Sequence, residues 1–273
     1  MLDNEIHSGD EEPTKRKKRP KKGVYLLPNL LTSVSLFGGF YAIVASFDGN
    51  FVHAAIAVII SGVFDCLDGR VARLTGTSSK FGVEYDSLAD LIAFGLAPGL
   101  LIFTWGLRSF GRYGWLAAFL YVVCAALRLA RFNVQVTTVE NKRFNGLPVP
   151  AAAMLISSTI LLYNHFGLAD DVSKYIVVLG YVYLLAFLMV SNVKYHSFKE
   201  LNLSQRMPFR LLVGAIFLLI AVAAEPPLML FLLSFLYVMS GPVTTLVDRR
   251  RRRLAKAARE EKKEKQEPKL NHR

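Results

Sequence analysis

Eight apolar runs, set apart by short polar breaks, constrain this chain more than any other feature in it. They lie at roughly 27–47, 51–73, 83–106, 113–132, 149–167, 173–193, 210–224 and 226–246. A bilayer core about 30 Å thick is crossed by about 20 residues of apolar helix, so each run is predicted as a span. The seventh run is short and meets the eighth at Pro226-Pro227, where the two form either a tight hairpin or one broken element. The runs are too long for barrel strands and do not alternate. The predicted fold is an all-α integral membrane protein with about eight transmembrane helices.

Charge distribution supports that reading better than bulk composition does. The chain has 273 residues and is 53% hydrophobic, little above a soluble domain. Residues 1–22 and 248–273, however, hold 19 of the 33 Lys and Arg and 10 of the 21 Asp and Glu, so +9 of the net +12 sits at the ends. A middle so poor in charge excludes a soluble globular enzyme, and its hydrophobicity excludes a disordered chain. Cys66 and Cys124 both fall inside apolar runs, which excludes a disulfide framework and zinc-ligand spacing, and the five histidines form no paired metal motif. The first apolar stretch is too long for a signal-peptide core and lacks a small-residue cleavage site, so no cleaved leader is expected.

Lysine and arginine placement orients the spans. With both termini inside, the cytoplasmic side gathers both tails plus Arg70, Arg73, Lys80, Arg128, Arg131, Lys142, Arg143, Lys194, Lys199, Arg206 and Arg210. The other side has only Arg108, Arg112 and Lys174. The expected location is the cytoplasmic (inner) membrane, with residues 1–24 and 248–273 as basic cytoplasmic tails that are unstructured away from lipid. Runs such as Arg249 to Arg253 read as stop-transfer signals and contacts to anionic membrane lipids, at about 1 kcal/mol per charge near the surface. No aromatic residues interleave the basic runs, which argues against nucleic acid as a partner.

Four aspartates stand inside the second and third runs: Asp65, Asp68, Asp86 and Asp90. An ionised carboxylate in a bilayer is costly unless paired or metal-bound, so each is a functional candidate. Asp65 and Asp68 are about 60° apart on one helix, and Asp86 and Asp90 about 40° apart on the next. The two helices are antiparallel around Thr75-Gly76-Thr77-Ser78-Ser79, with Asp68 and Asp90 each eleven residues from Ser79 and so at similar depth. Four converging like charges need cations, and hard divalent ions such as Mg2+ or Mn2+ take carboxylate oxygens and bridge to phosphate. The neighbours also point to phosphate. Gly69 leaves room for a ligand beside the carboxylates, Ala72 is small on the same face, and Gly82 opens the start of the third helix. Arg73 offers a planar fork suited to a diphosphate.

Written out, this is Asp65-x2-Asp68-Gly69-x2-Ala72-Arg73-x8-Gly82-x3-Asp86-x3-Asp90. At all eight positions it resembles the signature of the CDP-alcohol phosphatidyltransferase family. The resemblance implies a six-helix membrane core, usually a homodimer, with two divalent cations (Mg2+ or Mn2+) and a site open to the cytoplasmic leaflet. There a phosphatidyl group passes from a CDP-linked lipid to an alcohol and CMP leaves. It further implies that Asp65, Asp68, Asp86 and Asp90 ligate metal, that Asp90 is also the general base, and that Gly69, Ala72, Arg73 and Gly82 line the CDP-lipid site. Asn29 and Thr32, in Pro28-Asn29-Leu30-Leu31-Thr32, match a nucleotide-contacting patch of the family; taken alone they read equally as an N-cap region. The expected organisation is a catalytic core over 25–193, a cytoplasmic loop over 194–210 and two additional helices within 211–247.

The acceptor alcohol must be read from outside the motif. Residues 23–32, Arg128-Leu129-Ala130-Arg131-Phe132-Asn133 and Gly146-Leu147-Pro148-Val149-Pro150-Ala151-Ala152 resemble the bacterial phosphatidylserine synthases of that family. This implies CDP-diacylglycerol and serine as substrates. Serine brings a carboxylate and an ammonium, so its pocket needs a fixed cation with carbonyl or amide acceptors. The expectation is that Arg131 grips the carboxylate with help from Asn133, and that Arg128 either helps or holds phosphate. The plainer alternative for both arginines is positive-inside anchoring. Sister enzymes using glycerol 3-phosphate, an inositol derivative or choline share the aspartate motif. A cation transporter is the alternative from another class, but such sites lie in the broken helices of paired repeats, and no repeat is visible here.

Overall fold

A computed structural model of the chain describes residues 26–77, 79–138, 144–167, 173–195 and 209–266. The basic segment 1–24, Ser78, Lys142, Arg143 and residues 196–208 of the predicted loop lie outside the described residues. Eight helices follow in order: α1 (Leu26–Phe47), α2 (Phe51–Thr75), α3 (Lys80–Phe110), α4 (Arg112–Thr138), α5 (Val149–His165), α6 (Ser173–Val190), α7 (Phe209–Ala224) and α8 (Pro226–Gln266). Each predicted span is matched by one helix. Among the described residues, α1 to α4 and the Pro226–Val247 part of α8 are long and apolar enough to cross a membrane, and Ile176–Val190 is a shorter apolar helix. This is an integral membrane, essentially all-helical protein.

Local chemistry sets the breaks. Asp48-Gly49-Asn50 turns the chain between α1 and α2, with Gly49 at φ +77°. Gly76, at φ +62°, closes α2, and its N–H reaches the Ala72 and Arg73 carbonyls, a left-handed cap that favours glycine. Ser79 then caps α3, its Oγ accepting the Gly82 N–H at 2.9 Å. Glu225 is a bend and α8 starts at Pro226, where a missing N–H costs no helical bond. The double proline therefore makes a tight hairpin of α7 and α8.

The bundle is built from small residues inside and large ones outside. On α1, Thr32, Ser35, Gly39, Ala42, Ala45 and Ser46 are buried, whereas Leu30, Phe37, Phe40 and Val44 are exposed. Small contact residues let helix backbones approach closely where lipid gives no hydrophobic drive. A Cβ on Gly39 would stand 2.6 Å from Ala93 Cα of α3, so α1 and α3 touch backbone to backbone. The Ser35 hydroxyl donates to the Ser61 carbonyl of α2 at 3.0 Å. Phe94, Leu101, Ile102, Tyr121, Leu147 and Ile156 fill the centre.

Helix α3 is not uniform. Its turns widen at Leu91–Leu96 and Phe103–Leu107, and Pro98 lies between them. Pro98 has no N–H for the Phe94 carbonyl; the Tyr121 hydroxyl donates to that carbonyl instead, at 3.1 Å. Beyond the helices, Phe144–Asn145 pairs antiparallel with Lys194–Tyr195 in the register Phe144 to Tyr195. This short pair ties the connection before α5 to the one after α6.

The C-terminal segment departs from the sequence-based expectation. α8 continues through Arg249–Arg253 to Gln266 instead of losing structure at residue 248. Its composition explains this: Ala, Lys, Arg and Glu are strong helix formers.

Candidate active site

The α2–α3 hairpin brings the aspartates together as the spacing requires. One carboxylate oxygen from each of Asp65, Asp68 and Asp86 lies within 4.8 Å of the others. Asp90, one turn beyond Asp86, is half-buried and lies within electrostatic range of Asp65. Asp68 is the most enclosed, 5% exposed. The Thr32 hydroxyl of α1 stands 2.7 Å from Asp68 Oδ2 and 3.1 Å from the Pro28 carbonyl. Thr32 thus orients a carboxylate from behind.

An all-oxygen set of three carboxylates at this separation suits a hard divalent cation. Carboxyl groups as close as those of Asp65, Asp68 and Asp86 also need either protons or a cation among them. The residues therefore fit a bound metal on their own geometry.

The other motif positions surround this cluster. A Cβ on Gly69 would meet nothing within 4 Å, so the face beside Asp68 is open. Arg73 is exposed in the last turn of α2, and the Ala72 carbonyl accepts the Thr77 N–H at 3.1 Å. Gly82 sits between two partners: a Cβ there would lie 3.1 Å from Ser79 Oγ and 3.4 Å from Asn29 Oδ1. Asn29 of α1 accordingly stands at the mouth of the α2–α3 hairpin. Ser33 and Tyr85, which sequence reading passed over, join their hydroxyls across the same mouth at 2.8 Å. A lone serine and tyrosine in separate spans gave no signal of their pairing.

The three proposed acceptor residues diverge. Arg131 turns towards the end of α6, where Nη2 donates to Asn192 Oδ1 at 2.8 Å and Nη1 reaches the Val190 carbonyl at 3.5 Å. Asn133 turns to α3, its Nδ2 donating to Ser87 Oγ at 3.0 Å, next to Asp86. Arg128 is partly buried within electrostatic range of Asp90 and of Tyr237 on α8. Its Nε is buried without a hydrogen-bond partner among the described residues.

A helical membrane bundle that gathers three carboxylates beside an open glycine has the chemistry of a membrane enzyme that uses a divalent metal. The chain belongs to the CDP-alcohol phosphatidyltransferase family, whose model matches residues 25–188. It is a membrane-embedded phosphatidyltransferase of phospholipid synthesis. Among its relatives is the CDP-diacylglycerol–serine O-phosphatidyltransferase of Helicobacter pylori strain J99, 44% identical over 183 residues, covering 67% of this chain and 77% of the relative. The archaetidylserine synthase of Methanothermobacter thermautotrophicus is 38% identical over 171 residues, 62% of this chain and 69% of its own length. The CDP-diacylglycerol–serine O-phosphatidyltransferase of Mycobacterium tuberculosis strain H37Rv is 35% identical over 158 residues, 55% of each chain.

Proposed function

We propose that this protein transfers the phosphatidyl group of CDP-diacylglycerol to L-serine, giving phosphatidylserine and CMP. The observation that carries the transfer chemistry is the joining of Asp65, Asp68 and Asp86 within 4.8 Å beside open Gly69. The acceptor is supported by the relatives: serine stands in the names of all three, whereas their lipids differ. Membership of a transferase family leaves the cation-transport reading without a supporting observation.

In this reading Asp65, Asp68, Asp86 and Asp90 hold two divalent cations, Mg2+ or Mn2+. When bound, such ions neutralise charge on the diphosphate and on the departing CMP. Gly69 and Ala72 leave the lipid diphosphate room to approach, Arg73 pairs with its oxygens from the end of α2, and Asn29 and Gly82 border the nucleotide. Asp90 takes the serine hydroxyl proton. The serine oxygen then bonds to the β-phosphorus while the bond from that phosphorus to the oxygen of CMP breaks. An alcohol needs a base in this step because it is a poor nucleophile at neutral pH.

For the acceptor, geometry favours Arg128 over Arg131. The Arg131 guanidinium is engaged by Asn192 and the Val190 carbonyl, so it braces α4 against α6. Arg128 lies within electrostatic range of Asp90, so a serine with its hydroxyl at Asp90 would bring its carboxylate towards this cation. Asn133, through Ser87, keeps the α3–α4 contact beside Asp86.

The same proposal covers the surroundings. The positive-inside bias supports a cytoplasmic-membrane protein with both termini in the cytoplasm, and eight helices agree with that parity. The basic tails meet anionic lipid, and an exposed apolar face serves a homodimer.

The test is CMP release by purified protein in detergent with CDP-diacylglycerol and Mn2+ or Mg2+, comparing serine with glycerol 3-phosphate, inositol phosphate and choline. Release with serine alone, abolished by chelation, is the expected result. Release with another alcohol would keep the aspartate chemistry and overturn the acceptor.

A further inference from the structure

The last helix and the first are both tied into the bundle by hydrogen bonds to distant elements. For α8, Ser234 Oγ is 3.0 Å from Ser158 Oγ of α5. The Tyr195 hydroxyl donates at 3.0 Å to the Val238 carbonyl, which Pro242 leaves without a helical N–H. For α1, consecutive residues make the ties. Thr32 reaches α2, where its Oγ1 meets Asp68 Oδ2 at 2.7 Å. Ser33 reaches α3, where its Oγ meets the Tyr85 hydroxyl at 2.8 Å. The two arms of the aspartate hairpin are thus held to α1 by separate bonds. The first ends on a carboxylate, the second on a tyrosine.

The second bond has a direction. Ser33 Oγ also donates to the Asn29 carbonyl at 2.8 Å, and a serine hydroxyl has one hydrogen to give. The hydrogen between Ser33 and Tyr85 therefore belongs to the tyrosine, and a relay runs from Tyr85 through Ser33 to Asn29. Asn29 stands in the first turn of α1, where backbone N–H groups have no partner within the helix and the end frays. Its side chain faces α3, because a Cβ on Gly82 would lie 3.4 Å from Asn29 Oδ1. Gly82 is three residues before Tyr85, so the relay leaves α3 at Tyr85 and returns to it at Gly82. The Tyr85 ring is itself set by a second contact, a stack on Phe81 with centroids 5.9 Å apart and planes 8° apart. Deeper in the bundle Gly39 against Ala93 already packs α1 on α3. What the Ser33–Tyr85 bond adds is position at the mouth.

We propose that Tyr85 is a positioning residue for the nucleotide end of the CDP-lipid: through Ser33 it holds Asn29 at a fixed separation from Gly82. This rests on the reading that Asn29 and Gly82 border the nucleotide. Tyr85 occupies one of the three positions that the aspartate motif leaves open between Gly82 and Asp86. Its contribution therefore belongs to this chain and not to the signature. Its hydroxyl serves α1, so removing it changes the seat of the nucleotide and leaves the metal ligands in place.

The test is steady-state kinetics on the full chain in detergent with Mn2+, varying CDP-diacylglycerol and serine separately and adding CMP as an inhibitor. Tyr85→Phe keeps the ring and removes the hydroxyl. It is expected to raise the CDP-diacylglycerol KM and the CMP inhibition constant about fivefold, the size of one lost neutral hydrogen bond. The serine KM, kcat and the Mn2+ concentration for half-maximal rate should stay within about twofold, the pattern of lost uniform binding to one substrate. Ser33→Ala breaks the same relay and should give the same split; it takes the place of Tyr85→Phe if that variant is not recovered folded. The double variant should be no worse than the worse single one, because the two hydroxyls form one network. Asn29→Ala should raise the CMP inhibition constant at least as far. A constant unmoved by Asn29→Ala overturns the nucleotide border and the inference with it. A constant raised by Asn29→Ala but unmoved in Tyr85→Phe overturns the inference alone. An equal rise in the serine KM in Tyr85→Phe, or full additivity of the two hydroxyl variants, marks a bond that only packs helices and overturns it as well.

Discussion

Asp90 and Thr32 act on the same cluster in different ways. In the proposed mechanism Asp90 takes the serine proton, so Asp90→Asn should lower kcat by about 10²–10⁴-fold, the usual contribution of a positioned base. Asp65, Asp68 and Asp86 remain in that variant, and Mn2+ titration followed by electron paramagnetic resonance should still show binding. Near-normal turnover with metal bound would remove Asp90 from the chemistry. Thr32 touches Asp68 at 2.7 Å from behind. Thr32→Val should therefore raise the Mn2+ concentration needed for half-maximal rate by about 10–100-fold, as lost support of a ligand does, and leave the serine KM unmoved. The sequence made the aspartates legible because helical spacing and bilayer cost both act on single residues and their near neighbours. It could not rank Arg128 against Arg131. The two are separated by about 60° on α4, and the deciding partner, Asn192, comes from a distant element.

At the level of the helices, glycines divide by what surrounds them. Gly39 lies against Ala93 with no space for a methyl group, whereas Gly69 faces open space. Gly39→Ala should destabilise the protein by about 1–3 kcal/mol, as overpacking does, seen as a lower midpoint of thermal unfolding in detergent. Gly69→Ala should leave that midpoint in place and raise the CDP-diacylglycerol KM. The opposite pattern would exchange their roles. The span positions were legible because a bilayer demands a minimum apolar length; at Pro226-Pro227 the break was legible, but not whether it made a hairpin or one broken element. The internal prolines carried no such message. Pro98 and Pro242 each leave a carbonyl to be satisfied by a tyrosine, Tyr121 and Tyr195, which bond across 27 and 43 residues. Such separations have no signature in local spacing. Nor did charge density reveal that the tail after Val247 stays helical to Gln266. The basic tail was expected to be unstructured away from lipid, while the helix propensity of its residues prevails.

For the molecule as a whole, the carboxylate cluster couples metal to stability. Without cations, Asp65, Asp68, Asp86 and Asp90 repel one another within the bundle. A divalent ion bound only by the folded state adds about 2.7 kcal/mol at a hundred times its dissociation constant. Thermal unfolding in detergent should therefore move up with added Mn2+ or Mg2+ and down with chelator. The Asp65→Asn/Asp86→Asn double variant should lose that response. A midpoint indifferent to metal in the unsubstituted protein would mean that the cluster is held by shared protons instead. The attachment of α8 to Tyr195 and to α5 also has a meaning in time. Synthesis runs from the N-terminus, so the aspartate hairpin enters the bilayer long before α8 exists. Until α8 arrives, the Tyr195 hydroxyl lacks the Val238 carbonyl and Ser158 lacks Ser234. The seam between core and last span closes only as the ribosome finishes the final membrane segment. A chain broken off before residue 226 would carry the whole metal cluster and still leave that seam open to lipid, a visible mark for the quality control that clears unfinished membrane proteins.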